Sequence, residues 1–331
     1  MSTSTAAPPD LAAPTLRQRL LSGSTLGPLA ALVIACVIFS VQSDRFFTGG
    51  NFSLIIQQVM VVGTLAIGQT LIILTAGIDL SNGAIMAFGS IVMAKLAVGG
   101  TIPPLLAIII GIGVCALFGL VNGTLVTQVP LPPFIVTLGM LSIAFALTHI
   151  YSQEQTVTGL PSTLTALGQT FSIGGTEVTY GSLVTILLYG LFAYLLGQTA
   201  WGKHVYAVGD NREAARLTGI PTKKLLIGVY TTAGLVYGIA ALLSIARTGV
   251  GDPQAGQTDN LDSITAVVLG GTSLFGGRGT MVGTLLGALI VGVIRNGLQL
   301  IGVASIYQTL ITGILVILAV TVDQVSRRGA R

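Results

Sequence analysis

GKHVYAVGDNREAARLTGI, residues 202–220, is the longest charged interruption in an otherwise apolar chain. Lys203, His204, Asp210, Arg212, Glu213 and Arg216 fall within it, and Lys223 and Lys224 follow. Its centre, Asn211 to Gly219, reads as one short helix. Asp210 or Asn211 serves as the N-cap, Glu213 lies in the first turn where the helix dipole favours an acid, and Gly219 acts as the stop. Pro221 blocks continuation. A short helix with charged Arg212, Glu213 and Arg216 and small apolar Ala214, Ala215, Leu217 and Ile220, held between two apolar spans, suits a docking element. Charge alone favours the plainer reading, an ordinary cytoplasmic loop.

The setting of that stretch follows from composition. The chain has 331 residues, 52% of them hydrophobic and only 8% charged, with a mean hydropathy of +0.88. Soluble domains carry about 25% charged residues. The chain is therefore expected to be an all-α polytopic membrane protein. Its 44 glycines suit helices that approach closely or break inside the bilayer. Cys36 and Cys115 both lie in apolar runs, so no disulfide framework is indicated.

Taken in order, residues 1–25 read as a disordered cytoplasmic tail rich in Ser, Thr, Ala and Pro. Apolar spans are expected at 26–42, 53–75, 81–98, 104–127, 134–151, 180–199, 225–246, 281–300 and 306–322. A tenth apolar run, 263–272, is about 15 Å long as a helix and too short for a hydrocarbon core of roughly 30 Å, so it is expected to be a broken or half-crossing helix. Residues 152–179 form the longest polar stretch between spans and are expected outside the membrane. A basic tail, 323–331, ends the chain. Asp79, between the second and third spans, reads first as a helix cap with Ser81 and second as an intramembrane functional group.

Orientation comes from the basic residues. With the N-terminus inside and about ten crossings, Arg17, Arg19, Lys203, Arg212, Arg216, Lys223, Lys224, Arg278, Arg327, Arg328 and Arg331 face the cytoplasm. Arg45, Lys95, Arg247 and Arg295 face outward. Eleven against four supports N-in and C-in, with residues 202–220 in the cytoplasm. Glu154, Glu177, Asp252, Asp259 and Asp262 then lie on the outer side.

Four segments carry a resemblance. TAGIDLSNGAIMAFGS (75–90), PFIVTLGM (133–140), GKHVYAVGDNREAARLTGIPTKK (202–224) and LDSITAVVLGGTSLFGGRGTMVGTLLGALIVGVIRNGL (261–298) resemble, in order and spacing, the ribose-type permeases of ABC importers. That family also includes branched-chain amino acid permeases, and the GIDLS stretch resembles the monosaccharide branch. The chain departs from the family pattern at Ala76, often Gly, and at Phe145-Ala146, often Arg-Gly.

The resemblance implies the membrane subunit of an importer in a bacterial cytoplasmic (inner) membrane. Its partners would be a cytoplasmic ATPase, an extracytoplasmic sugar-binding protein and a second permease copy, identical or closely related. Residues 210–220 would form the coupling helix: Asp210, Asn211, Arg212, Glu213, Ala214, Ala215, Arg216, Leu217, Gly219 and Ile220. Gly77, Asp79, Ser81, Gly83, Gly270, Gly271, Gly276, Gly277 and Gly279 would form helix junctions near the path. Glu154, Glu177, Asp252, Asp259 and Asp262 are candidates for contact with the binding protein. The chain would perform alternating access without chemistry on its substrate, with no cofactor of its own. ATP and Mg would act in the partner, in keeping with the lack of a GxxxxGK[ST] phosphate loop.

Other classes fit less well. An ion-coupled secondary transporter of a small polar solute, the alternative, needs carboxylates or His within its spans, and Asp79 is the sole candidate carboxylate. An enzyme needs a nucleophile and base or a metal-ligand cluster, and two His and two Cys on separate segments supply neither.

Overall fold

Long apolar runs fold as helices here because a bilayer offers backbone N–H and C=O groups no water, and a helix pairs them within itself. The computed structural model describes residues 23–100 and 102–328. Its helices are α1 (Gly23–Gln42), α2 (Gly49–Leu74), α3 (Asn82–Val98), α4 (Pro104–Gln128) and α5 (Pro133–Ser152), then the short α6 (Ser162–Thr165). They continue with α7 (Tyr180–Gln198), α8 (Ala200–Asp210), α9 (Arg212–Leu217), α10 (Thr222–Thr248), α11 (Asp259–Leu269), α12 (Met281–Leu300) and α13 (Ser305–Arg328). Six of them, α2, α4, α5, α7, α10 and α12, are long and apolar enough to cross a membrane. Shorter apolar stretches in α1, α3 and α13 add three more candidates.

Three details differ from the sequence expectations. The expected disordered tail, 1–25, overlaps α1 by residues 23–25, and residues 1–22 lie outside the described residues. The expected tail at 323–331 is helical as far as Arg328, and residues 329–331 lie outside the described set. The fold is also not wholly helical. Strands β1 (Thr170–Ile173) and β2 (Thr176–Thr179) pair antiparallel, Thr170 opposite Thr179. Gly174 and Gly175, at φ 59° and 83°, supply the two left-handed positions of the tight hairpin turn. The Ser53 hydroxyl donates to the Glu177 carbonyl at 2.6 Å and ties this hairpin to the start of α2.

The core is organised around α10, which packs on α4, α2 and α3. Helices α4 and α10 meet along small residues: Gly119 lies against the backbone of Tyr230, and Gly234 against that of Cys115. Such close approach replaces hydrophobic driving force between helices that both bathe in lipid. Large apolar side chains on α4, α5 and α7, among them Ile109, Ile135 and Leu187, stay exposed, as a lipid-facing surface requires.

Two segments break the helical pattern inside the packed body. Residues 75–81 join α2 to α3 by a non-helical path that opens on a turn at Thr75 and Ala76. Residues 249–258 run back along α3, with Gly251 against Ala94 and Gly256 against Gly83. The short α11 follows, 11 residues and about 16 Å long, with residues 262–268 buried. Its start lies four residues before the expected 263, because the descending 249–258 segment delivers the chain already inside the fold.

The α4–α10 seam makes a direct test. Gly234→Ala puts a methyl group against the Cys115 carbonyl, whereas a Cβ at Gly228 on the same helix meets nothing within 4 Å. Overpacking of this kind costs about 1–3 kcal/mol. Gly234→Ala should lower the melting temperature of the detergent-solubilised protein in scanning fluorimetry, and Gly228→Ala should not.

Candidate functional site

The charged stretch folds as two helices where sequence suggested one. Thr199 caps α8 by accepting from the Gly202 N–H at 3.2 Å. Asn211 then leaves helical geometry, at φ −153° and ψ 102°. Its side-chain oxygen accepts from the N–H groups of Glu213, at 3.1 Å, and Ala214, at 2.9 Å. Asn211 is therefore the cap of α9, and Asp210 is the last residue of α8. Glu213 and Arg216 form a fork with a shortest contact of 2.6 Å, fully at the surface. The Arg216 guanidinium, by hydrogen bond and charge, holds the Glu213 carboxyl below its usual range, so the pair is ionised at neutral pH. Gly219 ends the element at φ 89°, left-handed backbone that disfavours a Cβ.

Exposure corrects the expected apolar patch. Ala214 and Leu217 are exposed, Leu217 at 73%. Ala215 is buried in this chain's own core, and Ile220 is half-buried, packed on that core and lining a surface pocket with Arg212, Glu213 and Arg216. Arg212, Glu213 and Arg216 complete the exposed face.

Directly before α9 the chain is pinned to the rest of the body. Gly209 sits against the Leu74 carbonyl at the end of α2, too close for any side chain. The Gly277 N–H donates to that same carbonyl at 3.0 Å, and the Tyr206 hydroxyl donates to the Gly279 carbonyl at 2.8 Å. Three segments thus converge at one point: the end of α2, the end of α8, and the glycine-rich turn that connects α11 to α12. Within that turn Gly271, Gly276, Gly277 and Gly279 all have positive φ, and Gly270 abuts the Gly283 carbonyl. Ala76, beside the junction, takes φ 61° despite its Cβ, in the region that glycine enters without penalty.

The 75–83 segment is held by side chains. Asp79 is 1% exposed and accepts from the Ser81 N–H at 2.7 Å and the Ser81 hydroxyl at 2.5 Å. Ser81 precedes α3 but its hydroxyl makes no cap bond, contrary to the expected capping pair. It also accepts from the Asn122 amide at 3.1 Å. Asn82 donates to Gln69 at 3.2 Å and to Ser263 at 2.8 Å, which joins α3, α2 and α11. Gly77 is packed beside the Tyr230 hydroxyl, and Gly83 against Gly256.

A cavity of about 660 Å³ opens among the middle of α2, the end of α10, the 249–259 segment and α12. Arg247, Asp252, Asp259 and Arg295 line it, with the amides of Gln58, Gln254, Gln257, Gln299 and Gln308. Asp262 lies behind Arg295 and accepts from its Nη1 at 2.7 Å, with the carboxylate only 4% exposed. Of the acids expected on the outer side, Asp252 and Asp259 line this cavity and Asp262 is buried behind it. The 249–258 segment carries Asp252, and the start of α11 carries Asp259 and Asp262. Arg247 and Arg295, counted on the outer side by sequence, belong to the same wall. Glu154 and Glu177 remain exposed on the 152–179 segment.

A smaller cavity of about 350 Å³ lies on the other side of the 253–260 segment, against Leu141, Phe145 and Thr148. Among the described residues, no His, Cys, Asp and Glu cluster is arranged to hold a metal.

The α9 cap is testable without a partner. Asn211→Ala removes both N–H contacts and should cost about 1 kcal/mol locally. Faster proteolysis within 210–221 in membrane vesicles is the expected readout, with Asn211→Asp close to wild type.

Residues 51–320 match the family described as branched-chain amino acid transport system / permease component. The chain is 47% identical to the fructose import permease protein FrcC of Rhizobium meliloti over 321 residues, 95% of this chain and 89% of that one. It is 38% identical to the ribose import permease protein RbsC of Bacillus subtilis over 301 residues, 90% and 92% of the two chains. It is 34% identical to the D-allose transport system permease protein AlsC of Escherichia coli over 293 residues, 88% and 89% of the two chains. A solved ABC transporter in an inward-facing conformation aligns with a TM-score of 0.48 at 15% identity, over 91% of this chain and 98% of that one. By a match that runs from the start of α2 into α13, this chain belongs to the branched-chain amino acid transport system / permease component family.

Proposed function

We propose that the chain is the membrane-spanning permease subunit of an ATP-driven, binding-protein-dependent importer of a monosaccharide, seated in a bacterial cytoplasmic membrane. The observation that carries this reading is similarity over nearly the whole chain to import permeases named for fructose, ribose and allose. The alternative, an ion-coupled carrier, rested on Asp79. That carboxylate is buried in its own Ser81 turn, which weakens the alternative.

In this reading a cytoplasmic ATPase docks on α9. Arg212, Glu213 and Arg216 set the register of the contact, and Leu217 and Ala214 fill the apolar part of its cleft. Nucleotide and Mg belong to that partner, and no residue of this chain is assigned to hold them. Movement of α9 passes through Gly209 to Leu74 and Gly277, and so to α2, α11 and α12 together. A second permease copy closes the path on its open side. The binding protein meets the outer surface near Glu154 and Glu177. Alternation between the two open states requires that each partner bind one state more tightly than the other.

Two measurements test it. Arg216→Glu converts the Glu213–Arg216 pair into two adjacent acids and should abolish sugar uptake and co-purification with the ATPase, with membrane insertion unchanged. Uptake at the wild-type rate would remove α9 from the coupling role. A cysteine at exposed Ser162 should react with a membrane-impermeant maleimide in intact cells; reaction only from the cytoplasmic side would invert the N-in, C-in topology.

A further inference from the structure

The 660 Å³ cavity falls within the range of small-molecule sites, about 300–1,000 Å³, and lies among α2, α10 and α12, three helices long and apolar enough to cross a membrane. Charge set among apolar helices is expensive unless it is compensated. Here two guanidinium groups, Arg247 and Arg295, share the wall with two carboxylates, Asp252 and Asp259. Asp259 stands in the field of both arginines. The exposed wall is thus balanced, and an ion of either sign gains little from it. What the wall does offer is hydrogen bonding in both directions, from amides that donate and accept and from guanidinium donors.

The Arg295–Asp262 pair is asymmetric in a way that points into the cavity. The Asp262 carboxylate is 4% exposed and the Arg295 side chain 44%. Nη1 donates to Asp262. A guanidinium carries five N–H donors in a fixed plane. The buried acid holds that plane in place, and the half-exposed remainder faces the cavity alongside Gln299 on the same helix.

We propose that this cavity is a subsite for a neutral polyhydroxyl ligand within the permease itself, with Arg295 as its specificity-determining donor and Asp262 as the residue that positions it. The proposal rests on the monosaccharide reading above. Planar paired donors match vicinal hydroxyls, and the amides of Gln58 and Gln299 complete the ring of contacts. The cargo is recognised in transit by the permease as well as by its binding protein.

The test uses the complete transporter in cells, with radiolabelled D-fructose and D-ribose as probes and L-leucine as the zwitterionic control. Arg295→Lys keeps the charge but loses the planar donors. It should raise the KM for the imported sugar by about tenfold or more, as loss of hydrogen bonds to a charged group predicts, with ATPase co-purification unchanged. Gln299→Leu, at a cavity-facing position, should raise KM several-fold and guards against a folding defect in the arginine variants. The double variant Arg295→Met with Asp262→Leu separates positioning from plain structure. A merely structural ion pair tolerates apolar replacement of both partners, whereas the proposed subsite loses uptake.

Wild-type KM in Arg295→Lys and in Gln299→Leu, or wild-type uptake by the double variant, overturns the subsite while the importer reading stands. Failure of the wild-type transporter to import either sugar, or import of L-leucine in their place, overturns the monosaccharide reading and the subsite with it.

Discussion

Every backbone polar group inside a bilayer must find a partner within the protein, and this chain breaks its helices in places where that is hardest. The 75–81 segment meets the demand with side chains borrowed from its neighbours. Thr137 donates to the Ile78 carbonyl at 3.1 Å, and Asn260 donates to the Leu80 carbonyl at 3.1 Å. The 249–258 segment is pinned by an isolated bridge between Gly251 and Val157. The glycine turn before α12 takes Leu74 as its acceptor. Each break is tolerated because other elements crowd against it, so α2, α3, α10 and α11 cannot be considered separately.

The same constraint explains the distribution of charge. Buried Asp262 is tolerated because Arg295 reaches it, and Arg295 in turn leans out into a polar cavity. The surface pair Glu213–Arg216 has no such consequence for stability, because water screens it. Its value lies in the fixed pattern of charge that it displays at the end of a rigidly anchored element.

Sequence revealed whatever was decided locally. Spans were legible from runs of apolar residues, the α9 cap to within one residue, Asp210 or Asn211, and its stop from Gly219 and Pro221. The hairpin also has a local signal, Gly174-Gly175 between TFSI and TEVT. Helix α8 carried a readable signal too: Gly202, Val205, Val208 and Gly209 recur at helical spacing and form its buried face. The cavity acids were out of reach. Nothing in the order of residues 247–262 says that the chain turns back along α3; Gly251 against Ala94 and Gly256 against Gly83 decide that, and both are tertiary contacts. Ala215 was misjudged for the same reason, because its burial depends on the core beneath α9.

Helix α11 answers to different neighbours at its two ends. Asp259 and Asp262 belong to the cavity, and the turn that follows Leu269 leads to Leu74 and Gly209. At 11 residues the helix is about 16 Å long, so the cavity and the three-way junction are one short helix apart. The same 11 residues thus present acids to a polar cavity at one end and lead, at the other, into a glycine turn that meets the α2 and α8 termini.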